Sequence, residues 1–405
     1  MKTQDSQAQD SQNQDTPIVD TAAKEARAAI TMAKRIVVKI GTNTITMQKG
    51  AHTRISDGPD TGSNGIDSEY LHRIAAEIAD LVRAGHQVLM VTSGAVGMGA
   101  RELGLAHKPK DTRAKQACAA IGQPLLMDEY RRAFNVFGLT VGQLLVTRDA
   151  WDKRSAYLNL RSTVESLLEH HIVPVFNEND SVSSAEIAFG DNDQLSAYVA
   201  SKVDAELLII LSDVDALYDA DPRTIPGAKA IPYVKDLAPE ILASAGGKGS
   251  EFSTGGMKTK LIAVGIARDA GCRVIIAHGR HPGVISKLIS GQNIGTLFDA
   301  ASGLTNRRRW IKNSRAQGII HVDEGAMAAM HDNNSLLPRG VTSIEGRFDK
   351  GSVVMINDAA KAISALSSVE LEEIRGKRSD QTGGRSSGGG TKVVARPEEI
   401  VFIKE

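Results

Sequence analysis

At 405 residues, 41% apolar and 4% aromatic, the chain is long enough to bury a full core in two or three domains. Its 48 Lys and Arg balance its 48 Asp and Glu, so no global positive field draws it to nucleic acid or anionic lipid. Cys118 and Cys272 are isolated and form neither a CxxC pair nor a disulfide framework, which points to a reducing compartment and to core packing.

In chain order, residues 1–16 are rich in Gln, Asp and Ser and lack the apolar stretch of a signal peptide, and no run nears the ~18 apolar residues of a membrane span. Residues 1–33 are therefore expected to be a disordered extension, and the cytoplasm is the expected address. Short β-branched runs follow at 35–40, 87–92, 139–147, 172–176, 206–211 and 273–277 and read as buried parallel strands. Between them lie helical patterns at 68–83, 113–137, 155–170, 193–202 and 256–270; in the first, Leu71, Ile74, Ala75, Ile78, Leu81 and Val82 share one face. This alternation predicts an α/β three-layer sandwich with a largely parallel sheet over residues 34–300.

After about residue 295 the alternation stops. A basic linker at 301–317 leads to strand-like segments at 318–322, 341–346 and 352–356, a small β-rich domain over 318–405 interrupted by a Gly/Ser-rich insertion near 378–391. The Gly/Asp/Ser-rich stretch 50–65 is a second expected mobile segment.

Almost every strand candidate runs into small or polar residues: Gly41-Thr42-Asn43, Thr92-Ser93-Gly94, Asn177-Glu178, Ser212-Asp213 and His278-Gly279. Ligands of open α/β sheets bind at the carboxyl ends of the strands, so these segments are placed to converge. The run Asn177-Glu178-Asn179-Asp180 and the later Gly190-Asp191-Asn192-Asp193 crowd acids behind a core strand, which is tolerable only where they meet cations. Lys39 interrupts its own strand, and a lysine there marks an edge or a site. Neither a P-loop nor a G-x-G-x-x-G pattern is present. Thr254 is placed to cap a helix whose first turn holds Gly255 and Gly256, either to cradle phosphates beside Lys258 and Lys260 or as an ordinary Gly loop. Gly94 and Gly97 allow close approach of a ligand or tight packing.

These pieces fit phosphoryl transfer to a carboxylate. With a pKa of about 4.3 such an acceptor is already an anion and needs no general base. Two lysines, Mg²⁺ and a helix N-terminus would neutralise the transferring group while an aspartate aims the lysines, and Lys39, Lys260 and Asp193 can supply that set.

At these residues the chain resembles the amino-acid kinase family, in the branch that phosphorylates glutamate. The resemblance runs from about residue 35 to 356 and rests on Val37 to Thr42, Val91 to Ala95, Asn177 to Asp180, Gly190 to Asp193 and Thr254 to Met257. It implies ATP- and Mg²⁺-dependent phosphorylation of the γ-carboxylate of L-glutamate, the first step of proline biosynthesis. It places catalysis on Lys39, Asp193 and Lys260 and substrate binding on Ser93, Asp180 and Asn192. Nucleotide binding falls on Lys39, Ser212, Asp213, Thr254, Gly255, Gly256, Met257, Lys258, Thr259 and Lys260, with no protein metal ligand assigned. A homo-oligomer, proline as feedback inhibitor and a glutamyl phosphate reductase as recipient are implied partners.

Leu336 to Gly340 and the pattern Gly346, Phe348, Gly351 and Val353 resemble a PUA domain, here read as a packing or regulatory module more than an RNA reader. The resemblance is broken by the N-terminal tail, the 50–65 and 378–391 insertions, and Ala188 where a basic residue is common. The competing expectations are a related kinase of acetylglutamate or aspartate, and an RNA-binding regulatory protein on a kinase scaffold.

Overall fold

The structure, a computed structural model, describes residues 15–46, 65–105, 107–148, 154–183, 191–239, 241, 256–301, 308, 311–312, 314–377 and 392–403. It divides into two units, 1–303 and 304–405. Among the described residues no helix is long and apolar enough to cross a membrane.

The first unit is built on an eight-stranded sheet. In chain order its strands are β1 (Arg35–Ile40), β2 (Gln87–Val91), β3 (Val141–Val146), β4 (Val173–Glu178), β5 (Leu207–Ser212), β8 (Tyr233–Val234), β9 (Arg273–His278) and β10 (Thr296–Phe298); β6 (Leu217–Tyr218) and β7 (Ala230–Ile231) form a separate ribbon. The spatial order is β3-β4-β2-β1-β5-β9-β10-β8, parallel from β3 to β9, with β10 antiparallel to β9. The chain leaves β1 toward β2 on one side and later returns as β5 on the other, so the strand order reverses around β1. That is where an open parallel sheet opens a crevice.

The helices are α1 (Asp15–Thr31), α2 (Thr42–Ile45), α3 (Ser68–Arg83), α4 (Ala95–Glu102), α5 (Thr112–Asn135), α6 (Arg154–Glu169), α7 (Asn192–Lys202), α8 (Met257–Asp269) and α9 (Val284–Ile289). Strand alternation divides them between the two faces. Ile36, Val38 and Ile40 of β1 pack in one cluster with α3, α5 and α9, whereas Val37 packs in the other with α7 and α8. These are the three layers expected from the sequence. Their bounds follow the apolar patterns closely, and α3 coincides with the expected 68–83; Asp67 caps it by accepting from Tyr70 N.

The disorder expected over 1–33 is corrected along α1. Its Ala22, Ala23, Ala26 and Ile30 repeat at helical spacing and pack on the α3 face of the core, and Arg27 donates to Gln292 O at 2.8 Å and Pro232 O at 3.1 Å. The polar composition of the residues before it masked that stripe. The insertion at 50–65 lies outside the described residues except for Gly65.

The second unit is a mixed five-stranded sheet, β12-β11-β13-β14-β15, from β11 (Ile319–Val322), β12 (Val341–Glu345), β13 (Val353–Ile356), β14 (Ala360–Ile363) and β15 (Ile400–Phe402), with helices α10 (Glu324–His331) and α11 (Ser368–Ile374). The linker expected at 301–317 is partly built into this unit. Ile311 is fully buried with Val353, Ile363 and Val401, Lys361 Nζ donates to Lys312 O and Ser314 O, and Arg308 donates to Ile400 O. An isolated basic triplet hid the apolar anchor two residues beyond it. The Gly/Ser-rich insertion at 378–391 lies outside the described residues.

Candidate active site

The carboxyl ends of β1, β2, β4 and β5 open into one cavity of about 440 Å³. Lys39, Ser93, Asp180, Asn192, Asp193, Ser212, Asp213 and Lys260 all line it. Residues scattered over more than 200 positions of sequence meet there because each ends a strand or opens a helix at the same end of the sheet.

On one side stands a triad of charge. As an odd-numbered residue of β1, Lys39 shares the face of Val37, which α7 and α8 cover. Asp193 in the first turn of α7 and Lys260 in the first turn of α8 therefore reach it. Lys39 Nζ lies 2.5 Å from Asp193 Oδ1, and Lys260 Nζ donates to Asp193 Oδ2 at 3.2 Å. All three are buried, Asp193 to 1% exposure. Burial pushes the Asp193 carboxyl up, but the two ammonium groups outweigh it and hold the carboxyl below its ordinary value. A carboxylate so placed fixes both ammonium groups without leaving one of them unpaired in the interior.

Beside this triad, Asp213 accepts from Asn43 Nδ2 at 3.0 Å and from Ser212 Oγ at 3.0 Å; burial raises its carboxyl, and these hydrogen bonds bring it below the ordinary value. A Cβ on Gly41 would make ordinary van der Waals contact with Lys39 Nζ at 3.5 Å and Leu211 O at 3.4 Å, so this position borders the lysine closely without requiring glycine.

The other side is acidic and amide-rich. The two N–H groups of Asn192 Nδ2 are shared among three acceptors, Thr92 O at 2.6 Å, Ser93 Oγ at 2.8 Å and Asn177 Oδ1 at 2.8 Å. Asp191 Oδ1 caps α7 by accepting from Asp193 N and Gln194 N, while its Oδ2 is buried with no partner among the described residues. Glu178 Oε1 accepts from Ser183 Oγ at 2.8 Å. Asp180 makes no hydrogen bond or ion pair among the described residues; burial, and then the neighbouring Glu178 charge, push its carboxyl up to about 6.

Not every expected residue arrives. Thr254 and Gly255 lie outside the described residues. The helix cap expected of Thr254 is corrected: α8 begins at Met257 with Gly256 as its N-cap and no side chain capping it. Gly256, Met257, Lys258 and Thr259 occupy this helix start without lining the cavity; Met257 packs on the core and Lys258 is exposed. Gly94, at φ 112°, makes the left-handed entry into α4 that only glycine adopts freely, so its use is at least conformational. Lys108 also lines the cavity. It comes from the loop between α4 and α5, and nothing in the local sequence distinguishes it.

Residues 34–278 match the family model described as the amino acid kinase family, and 318–383 that of the PUA domain. The glutamate 5-kinase of Methanosarcina acetivorans is 45% identical over 355 residues, covering 86% of this chain and 90% of that protein. The glutamate 5-kinases of Methanosarcina mazei, 44% identical with 92% and 96% covered, and Geobacter sulfurreducens, 40% identical with 87% and 93% covered, match over similar lengths. Similarity of this extent spans both units, and the chain belongs to the amino acid kinase family, in its glutamate 5-kinase branch, with a PUA domain at its C-terminal end.

Proposed function

We propose that the chain transfers the γ-phosphoryl group of ATP to the γ-carboxylate of L-glutamate, giving glutamyl 5-phosphate. The observation that carries this reading is Asp193 held between Lys39 and Lys260 at the strand ends. A γ-carboxylate oxygen attacks the γ-phosphorus, the bond to the β-phosphate oxygen breaks, and ADP leaves; no proton moves. What the site must supply is neutralisation of two approaching anions, and two aimed ammonium groups do that where charge develops. Ser212, Asp213 and the α8 start, with main-chain N–H groups not claimed by a side-chain cap among the described residues, suit the nucleotide side.

Among the described residues no group of three His, Cys, Asp or Glu could hold a metal. A Mg²⁺ bound together with the nucleotide would supply further neutralisation of charge at the phosphates.

Ser93, Asp180 and Asn192 bind the amino acid. Asp180, without a partner among the described residues, pairs with the α-ammonium; an N-acylated substrate lacks that cation and leaves the carboxylate unmatched. The acyl phosphate product is labile, so hand-over to a glutamyl phosphate reductase belongs to the same proposal, and absence of association or channelling on mixing the two would remove it. Proline inhibition and a homo-oligomer rest on the family resemblance alone, and a cytoplasmic setting on the cysteine usage and composition of the sequence.

The test is trapping of the acyl phosphate with hydroxylamine, offering glutamate, N-acetylglutamate and aspartate in parallel. The reading expects ATP-dependent hydroxamate from glutamate alone. Hydroxamate from either of the others at a comparable rate, or from none, would reject it.

A further inference from the structure

The amides of the acidic side form a directional chain whose polarity is set at both ends by groups that have no choice. The main-chain N–H of Glu178 can only donate, and it meets Asn177 Oδ1 at 3.0 Å. The carbonyl of Thr92 can only accept, and it takes Asn192 Nδ2 at 2.6 Å. Asn177 Oδ1 is thus its oxygen end, which also accepts from Asn192 Nδ2, and its Nδ2 requires an acceptor elsewhere. That acceptor is Gln123 Oε1, at 2.8 Å.

Gln123 is a polar residue on the buried face of α5, 8% exposed, among Ala119, Leu126 and Tyr130. Its Nε2 is buried with no partner among the described residues, so the oxygen is the end that holds it in place. Glycine brings it within reach. A Cβ on Gly122 would lie 1.8 Å from Ala95 O, and one on Gly99 1.8 Å from Cys118 O, so α4 and α5 touch backbone to backbone beside the strand ends.

We propose that Gln123 is a positioning residue: through Asn177 it holds the Asn192 amide with Nδ2 toward the protein and Oδ1 toward the cavity, so that the subsite accepts a hydrogen-bond donor such as an ammonium group. This rests on the glutamate reading and deepens it, since Asn192 Oδ1 and Asp180 then present acceptors only. Removing the Gln123 oxygen leaves a buried Asn177 N–H unpaired and takes away one of the contacts that hold the amide pair in place, so the acceptor presented to the ammonium is less firmly positioned.

Two variants of the full chain test it, each substrate being titrated with the other saturating. Gln123→Met keeps the length and loses the acceptor; Gln123→Glu keeps an acceptor oxygen. Gln123→Met is expected to raise the KM for glutamate about tenfold, to leave kcat and the ATP KM within about twofold, and to narrow the preference for glutamate over glutarate, which lacks the amine. Gln123→Glu is expected to stay within about twofold of wild type. An unmoved glutamate KM in Gln123→Met, or equal losses in both variants spread over kcat and ATP, would overturn the relay and leave a packing role. Should the Met variant not fold, a tenfold rise in KM in the Glu variant would overturn it equally. No hydroxamate from glutamate with the wild type would instead sink the substrate reading, and the relay with it.

Discussion

On the cation side of the cavity Asp193 is shared by Lys39 and Lys260, and every charge has a protein partner. On the acid side Asp180 has none among the described residues and its carboxyl is pushed up to about 6. The difference fits the roles proposed for the two sides. Charges to be aimed before the reaction would be paired within the protein, and a charge that recognises a substrate would be left for the substrate to complete. On the proposed function the first arrangement acts on the transition state and the second on binding, so the two sides are expected to separate in kinetics.

The largest expected effect is on the cation side. Lys260→Ala removes a group aimed at developing charge, and kcat should fall about 10²- to 10³-fold, with glutamate KM little changed. If KM carried the loss instead, the lysine would be a binding group and the contrast would collapse. Next comes Asp180→Asn, which removes the charge but keeps the shape. Loss of a charged hydrogen bond worth about 1.5–3 kcal/mol should raise glutamate KM roughly tenfold to hundredfold, with kcat recovered at high glutamate.

The pH dependence sharpens the same point. Below about 6 Asp180 is protonated and cannot pair with the ammonium, so glutamate KM should climb as pH falls through that value, and the climb should vanish in Asp180→Asn. The sign for stability is the opposite. A carboxyl raised in the folded state contributes most at low pH and loses that contribution as pH rises through about 6, so the ligand-free chain should gain in melting temperature below that pH, and Asp180→Asn should not. A control lies outside both sides: Ile30→Ala on α1 deletes a buried side chain and should lower stability by about 2–4 kcal/mol in chemical denaturation while kcat and both KM values hold.

The cation side was legible in the sequence because its residues break a pattern: Lys39 interrupts an apolar strand, Asp193 belongs to a cluster of acids behind a core strand, and Lys260 follows the Gly255-Gly256 pair. The strands and the long helices were legible for the same kind of reason, since burial on two faces demands continuous apolar runs and one-sided burial demands a 3.6-residue stripe. What escaped were contacts made across the fold. Gln123 stands on an apolar helix face, a signal that reads as an exception only when its partner Asn177, 54 residues away, is known. Lys108 sits in a loop with no periodicity to violate. The stripe of α1 was hidden behind polar residues, and the Ile311 anchor of the second unit behind a basic triplet, because composition averages over a window while a packed face needs only one residue per turn.

The most direct test of the account is the rate of ATP-dependent glutamyl hydroxamate formation across a glutamate titration, with wild type, Lys260→Ala and Asp180→Asn run together. The account predicts that Asp180→Asn approaches the wild-type rate at high glutamate and that Lys260→Ala does not at any concentration. Recovery of Lys260→Ala at saturation, or a permanent rate loss in Asp180→Asn, would contradict the division of the cavity into a catalytic and a recognition side.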